Sequence, residues 1–147
     1  EYISVVAPYY DYILIDCMPS LGMMTINALA AADSVLIPVQ AQFLSLKGLQ
    51  QLIVSILKVK KKLNPKLSFE GILLTMVDAR TNFAKDIMGL VHENYGSRIP
   101  VFDNYIPLSV RAAETTAEGK SIFKHDPRGK VADAYDILRR EVLAHAG

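Results

Sequence analysis

The sequence predicts a layered α/β fold, a mainly parallel sheet with helices on both faces, on three observations. Short runs rich in Val, Ile and Leu occur at residues 12–15, 34–39 and 69–77, as expected of strands buried on both faces. Stretches of helical period lie between them, and this alternation is what right-handed parallel crossovers require. Hydrophobic residues make up 51% and charged residues 21% of the 147, which describes a cored chain and excludes a disordered one. No linker or internal repeat divides the sequence, so residues 1–147 read as belonging to one domain.

Taken in order, the first apolar run closes on Asp16 and is followed by a small, apolar helix over 23–32. After the strand at 34–39, residues 46–63 form a long helix with Leu49, Leu52, Ile53, Ile56, Leu57 and Leu63 on one face, stopped by Asn64-Pro65. The strand at 69–77 leads to a helix over 82–95, with Phe83, Ile87, Leu90 and Val91 inward, Thr81 or Asn82 as cap and Gly96 beyond its end. A brief strand at 99–102 and a short helix at 109–118, ending at Gly119, come next. Asp126-Pro127 then opens a final helix carrying Val131, Tyr135, Leu138 and Val142.

No apolar run approaches a membrane span and no signal-peptide pattern opens the chain, so a cytoplasmic location is expected. The single cysteine, Cys17, has no partner for a disulfide or a thiolate metal site, which fits a reducing compartment. Charge is uneven: residues 1–46 hold four acids and no Lys or Arg, leaving sixteen bases against eleven acids in the rest. That surplus permits contact with an anionic polymer without demanding it.

In open parallel sheets ligands sit beyond the C-terminal strand ends, which singles out residues 16–22, 78–82 and 107–111. An apolar strand ending in Asp, then a loop with Pro and Gly and then a helix, supplies one wall of a magnesium-nucleotide site. The strand fixes the carboxylate, and Mg²⁺, which keeps several waters, is held directly or through one of them. Asp16 reads equally as a cap of the following helix. A receiver-domain phosphoacceptor fits poorly, because Met18-Pro19 comes one residue too early and only ten residues precede Asp11, where an acidic pair would be needed.

The string Asp11-Tyr-Ile-Leu-Ile-Asp-Cys-Met-Pro-Ser-Leu-Gly22 resembles the Walker B and switch region of the ParA/Soj branch of deviant-Walker P-loop ATPases, with Met18 where Pro is common. Further blocks of that family follow in order: Asn27 to Asp33, Ile37-Pro-Val-Gln40, Gly71 to Asp78, Arg80-Thr81, Ile106-Pro107 and Val110-Arg111. The resemblance implies a partial P-loop NTPase fold that uses ATP and Mg²⁺. Asp16 would hold the metal, by preference through a water, and take part in catalysis; Pro19, Ser20 and Gly22 would respond to the γ-phosphate; Met76, Asp78 and Pro107 would lie beside the base. Without the family, Met76 reads as core, Asp78 as a turn former and Pro107 as a loop stop.

The resemblance also implies ATP-dependent homodimerisation, sequence-independent DNA binding through Arg80 and Arg111, a nucleoid-associated location, and a DNA-bound ParB/Spo0J-like activator, in the service of chromosome or plasmid partitioning. Ser109 stands where the family has Asn. Lys120 is at most an accessory basic contact, and Lys60, Lys61 and Lys62 are assigned to the dipole of the helix they end. A MinD-like membrane-cycling ATPase is the competing assignment, but the chain's end is short of the Phe and Lys of a membrane helix. A non-catalytic dimerisation or regulatory module is the third.

Gly119-Lys120-Ser121 imitates a phosphate-binding loop, yet position 114 is Glu where that loop needs Gly, and no Gly-x-x-x-x-Gly-Lys-Ser/Thr occurs anywhere in the chain. The expectation is therefore the C-terminal part of a ParA-like domain, without its phosphate cradle. Such a chain alone is expected to show no magnesium-dependent ATP turnover. It is also expected to self-associate along the strand ending at Asp16, and a clean monomer by light scattering at high concentration would count against that.

Overall fold

The computed structural model describes residues 2–18 and 22–145, with Tyr2, Phe43 and Leu44 described by backbone alone. The elements run α1 (Tyr2–Val6), a 3₁₀ turn (Ala7–Tyr9), α2 (Met23–Ala31), β1 (Ser34–Gln40), α3 (Phe43–Lys62), β2 (Ser68–Thr75), α4 (Asn82–Tyr95), α5 (Val110–Glu118), α6 (Ile122–His125) and α7 (Lys130–His145). They form two compact units, Glu1–Val35 with Gln50–Ser68, and Leu36–Leu49 with Phe69–Gly147.

In the first unit, Ile53, Ile56 and Val59 of α3 are buried, as are Thr25 and Leu29 of α2 and Leu67 beyond α3. Asn64 ends α3 and also closes α2. Its Nδ2 donates to the carbonyls of Leu29 at 3.0 Å and Ala32 at 2.7 Å, acceptors that the end of a helix leaves without intrahelical partners. The Ser68 amide and hydroxyl both donate to the Asp33 carbonyl, at 2.9 and 3.0 Å.

The expected strand at 12–15 is absent: residues 12–18 are irregular, and Leu14 is 94% exposed. A strand exists only where a neighbour supplies ladder partners, and among the described residues none does so here. Tyr12, Ile13, Ile15 and Met18 are exposed with Leu14.

In the second unit β2 is the spine. It pairs with β1 on one edge in a parallel sheet, and its other edge carries the parallel bridges Ile72–Val101 and Val77–Pro107. Ile72 N–H donates to Pro100 O at 2.8 Å, Phe102 N–H to Ile72 O at 3.0 Å, and Ile106 N–H to Leu74 O at 2.9 Å. The strand expected at 99–102 is thus realised as separate bridges. Ile72, Leu73 and Leu74 are all buried, so both faces of β2 are covered, as alternating side-chain direction requires.

Leu73 joins Phe102, Ile106, Val131 and Ala134 in a core flanked by Leu36, Ala112, Ile122, Leu138 and Val142. Gly71 is demanded by this packing, because a Cβ there would stand 2.6 Å from Phe102 Cε2.

The α4 and α5 starts follow ordinary capping. Thr81 Oγ1 accepts from Ala84 N–H at 3.2 Å, and Ser109 Oγ accepts from Ala112 N–H at 3.4 Å. On α4, Ala84, Ile87 and Val91 are buried, whereas Phe83 and Leu90, expected inward, are exposed. At 100° per residue those two lie together on the flank of the buried arc, because the apolar stripe is wider than the covered one. Leu57 and Leu63 of the α3 stripe are exposed for similar reasons, one on the flank and one past the helix end, and Tyr135 is half exposed. Instead of opening α7 directly, Asp126 forms a turn closed by Gly129 N–H at 3.0 Å, and the helix starts at Lys130.

Two substitutions test this packing by chemical denaturation. Asn64→Ala should cost about 1–2 kcal/mol by removing two hydrogen bonds to helix-end carbonyls. Gly71→Ala should cost about 1–3 kcal/mol by overpacking against Phe102.

Candidate nucleotide and anion sites at the strand ends

In the second unit, the chain leaves β2 through Met76, which has φ +53°, the only positive φ among described residues other than glycines. A non-glycine residue in that region stores about 1–3 kcal/mol of strain, which persists where surrounding structure imposes it. Met76 is 53% exposed, and Gln40 at the end of β1 donates from Nε2 to its Sδ at 3.3 Å.

Beyond Met76, Val77 N–H donates to Ile106 O at 3.1 Å and Leu108 N–H to Val77 O at 3.0 Å. This pairing sets two of the expected ligand-bearing segments side by side, the one that begins at Asp78 and the one that begins at Pro107.

Asp78 and Arg80 form a fork. Arg80 Nε donates to Asp78 Oδ1 and Nη2 to Oδ2, both at 2.8 Å, and the Arg80 amide reaches Oδ1 at 3.3 Å. The Arg80 side-chain hydrogen bonds, with its amide second, hold the Asp78 carboxyl down to about 2, and Asp78 in turn raises the Arg80 guanidinium. Arg80 is 89% exposed even so, and its unused N–H groups face solvent. Thr81 Oγ1 donates to the Asp78 carbonyl at 2.9 Å, tying the fork to the start of α4.

Arg111 sits in the first turn of α5, its Nε 3.7 Å from Asp126 Oδ2 and its side chain 61% exposed. Lys120 Nζ lies 2.9 Å from Glu118 Oε2. Lys120 first and His125 next lower the Glu118 carboxyl. His125 places Nε2 3.1 Å from Glu114 and Nδ1 3.4 Å from Glu118, bracing α6 against α5.

Sequence reasoning missed Gln40, Asp126 and the Glu114–Glu118–His125 brace. The i, i+4 spacing of the two glutamates was the one local signal, while Gln40 and Met76 are 36 positions apart.

In the first unit, Asp16 is exposed in the irregular segment that replaces the expected strand. Pro19 and Ser20 lie outside the described residues. Gly22 is the N-cap of α2, with φ −77° and ψ 177° and no side-chain capping bond. A glycine there contributes no side-chain capping bond of its own, and the positive end of a helix dipole suits an anion. No group of three or more metal-ligating side chains occurs among the described residues. A lone carboxylate such as Asp16 suits Mg²⁺, which retains most of its waters and takes one or two carboxylates alongside phosphate oxygens. A carboxylate at Asp16 and a helix N-terminus at Gly22 are thus of the chemical types that a magnesium nucleotide takes.

A parallel sheet with helices between and after its strands places the chain in the layered α/β class. The family AAA_31, described as AAA domain, matches residues 1–69. The sporulation initiation inhibitor protein Soj of Bacillus subtilis is 48% identical over 136 residues, which cover 92% of this chain and 53% of that protein. The chromosome partitioning protein ParA of Myxococcus xanthus is 47% identical over 137 residues, or 93% of this chain and 48% of its own. The chain belongs to the ParA/Soj family of P-loop ATPases, and it spans about half the length of the curated relatives it matches.

Among solved structures, cobyrinic acid a,c-diamide synthase from Mycobacterium smegmatis, with bound ADP and magnesium, superposes with a TM-score of 0.67 at 34% identity, over 73% of this chain and 43% of that one. Cyanthece apo McdA superposes with a TM-score of 0.83 at 17% identity, over 95% of this chain and 56% of that one, and shows the fold alone.

The Asp78–Arg80 fork predicts a titration. Because the folded carboxyl is depressed, its contribution to stability is present above the ordinary Asp value and is lost as pH falls toward 2. NMR of the Asp78 carboxyl should give a midpoint near 2 that returns to the ordinary range in Arg80→Gln. An ordinary midpoint in the unaltered protein would mean that the fork is open in solution.

Proposed function

We propose that this chain serves a ParA-like ATPase that segregates DNA, chromosomal or plasmid-borne, by ATP-dependent dimerisation and sequence-independent DNA binding, with a ParB-like protein bound to DNA as its activator. The observation that carries the reading is the pairing of Val77 with Pro107, which puts the segments bearing Met76, Asp78 and Arg80 beside the one bearing Pro107 and Arg111. Membership of the ParA/Soj family supports it.

In this reading Asp16 holds Mg²⁺, directly or through a water. The metal, when bound with ATP, neutralises charge on the phosphate oxygens. Residues 19–22 respond to the γ-phosphate, and the α2 N-terminus offers its backbone N–H groups to phosphate. Met76, Asp78 and Pro107 flank the base, and the strained backbone at Met76 is the feature most in need of such a role. Arg80 and Arg111 contact DNA phosphates, with Lys120 as an accessory. None of the three cations is free, since carboxylates hold each of them, so DNA competes with Asp78, Asp126 and Glu118. The protein works in the cytoplasm on the nucleoid.

Made in the complete ATPase, Asp16→Asn should lower ATP turnover by about 100-fold or more if Asp16 acts on the metal. Arg80→Ala and Arg111→Ala should each weaken binding to duplex DNA and flatten its dependence on log salt by roughly 0.9 for every phosphate no longer neutralised. Asp78→Asn, which releases Arg80, should strengthen DNA binding. The assignment of Arg80 fails if its removal leaves affinity and salt dependence unchanged.

A further inference from the structure

From Ser34 to Phe69 the chain carries six lysines and not one aspartate or glutamate. The dipole of α3 accounts for cations in its last turn but not for the absence of acids over the whole stretch, since solvated helices ordinarily mix both signs. The structure separates the lysines further. Lys60, half buried, donates from Nζ to the Leu67 carbonyl and so fastens the turn after α3. Lys58, Lys61, Lys62 and Lys66 are exposed, and among the described residues none pairs with a carboxylate.

At 100° per residue, Lys58, Lys61 and Lys62 project from the side of α3 opposite buried Ile53 and Ile56, and Lys66 follows in the turn beyond. The result is a ridge of four such cations, in a unit separate from the one that carries Arg80 and Arg111.

We infer that this ridge is a second docking surface for the phosphate backbone of duplex DNA, an inference that rests on the DNA-binding function proposed above. Its chemistry separates DNA from a protein partner. Residues 43–67 contain no Arg, Tyr or Trp, the side chains that anchor protein interfaces, and lysine is depleted in such interfaces. Toward phosphate, lysine acts as a point charge without directional demands. A duplex carries one negative charge per roughly 1.7 Å of axis, so a ridge on which Lys58 and Lys62 stand about 6 Å apart along the helix meets several charges at once. Val54 and Leu57, half exposed nearby, are the features an acidic protein or an anionic membrane would use instead.

The test replaces Lys58, Lys61, Lys62 and Lys66 by Gln in the protein, keeps Lys60, and follows a labelled random-sequence duplex by fluorescence anisotropy across a salt series. The expected result is affinity at least tenfold weaker at fixed salt and a log–log salt slope flatter by roughly two to four. Should the quadruple variant melt early, Lys61→Glu and Lys62→Glu, made singly, should each weaken binding severalfold at an unchanged melting temperature.

Unchanged affinity and slope in these variants, while Arg80→Ala still weakens binding, would overturn the ridge and leave the function standing. Absence of duplex binding by the unaltered protein would sink both. Loss of binding to labelled polyglutamate or to phosphatidylserine vesicles, with DNA binding retained, would assign the ridge to an acidic protein or a membrane and overturn the inference.

Discussion

The backbone ladder between β2 and residues 100–108 is the constraint on which the second unit depends. Three bonds hold Pro100, Phe102 and Ile106 against Ile72 and Leu74, and the Val77–Pro107 bridge extends the match past the end of β2. Without that register Phe102 could not lie over Gly71, nor could Asp78 and the α5 cap at Ser109 issue from neighbouring positions. The core of Leu73, Phe102, Ile106, Val131 and Ala134 is built on the same alignment. Fold and candidate site are therefore one object here, since the hydrogen bonds that order the sheet also decide which polar side chains meet at its end.

Features written in short-range chemistry were legible from the sequence. Thr81 announces its helix because a hydroxyl three residues ahead of an orphan amide is a local arrangement, and Ser109, read as the first residue of its helix, proves to be the cap. The β2 run is apolar because both of its faces are covered, whereas β1, expected to be buried on both faces as well, buries Ile37 and Val39 but exposes Pro38 and Gln40 on the alternate face. The α3 and α4 stripes set helix limits within three residues but overstate burial, because periodicity reports which face is apolar and not how much of it a neighbour covers.

The run at 12–15 shows the opposite limit. Its composition is that of a buried strand, but a strand is a relation between two segments, and the described residues provide no second one. The segments at Asp78 and Pro107, which the Val77–Pro107 bridge sets side by side, were legible because each follows an apolar run. The fork of Asp78 and Arg80 depends on backbone turn geometry that spacing alone does not specify, and Lys60 parts company with its neighbours only through the carbonyl of Leu67.

The contact between Gln40 and Met76 has a mechanical side. Gln40 closes β1, and two residues later the Gln42 amide donates back to the Gln40 carbonyl at 2.8 Å while Ser45 N–H donates to Gln42 O at 3.0 Å, so the chain enters α3 directly from that residue. Met76, held in a left-handed conformation at the end of β2, is thus joined by one side-chain bond to the root of the longest helix. A change at either side chain therefore touches both the left-handed turn after β2 and the turn that opens α3.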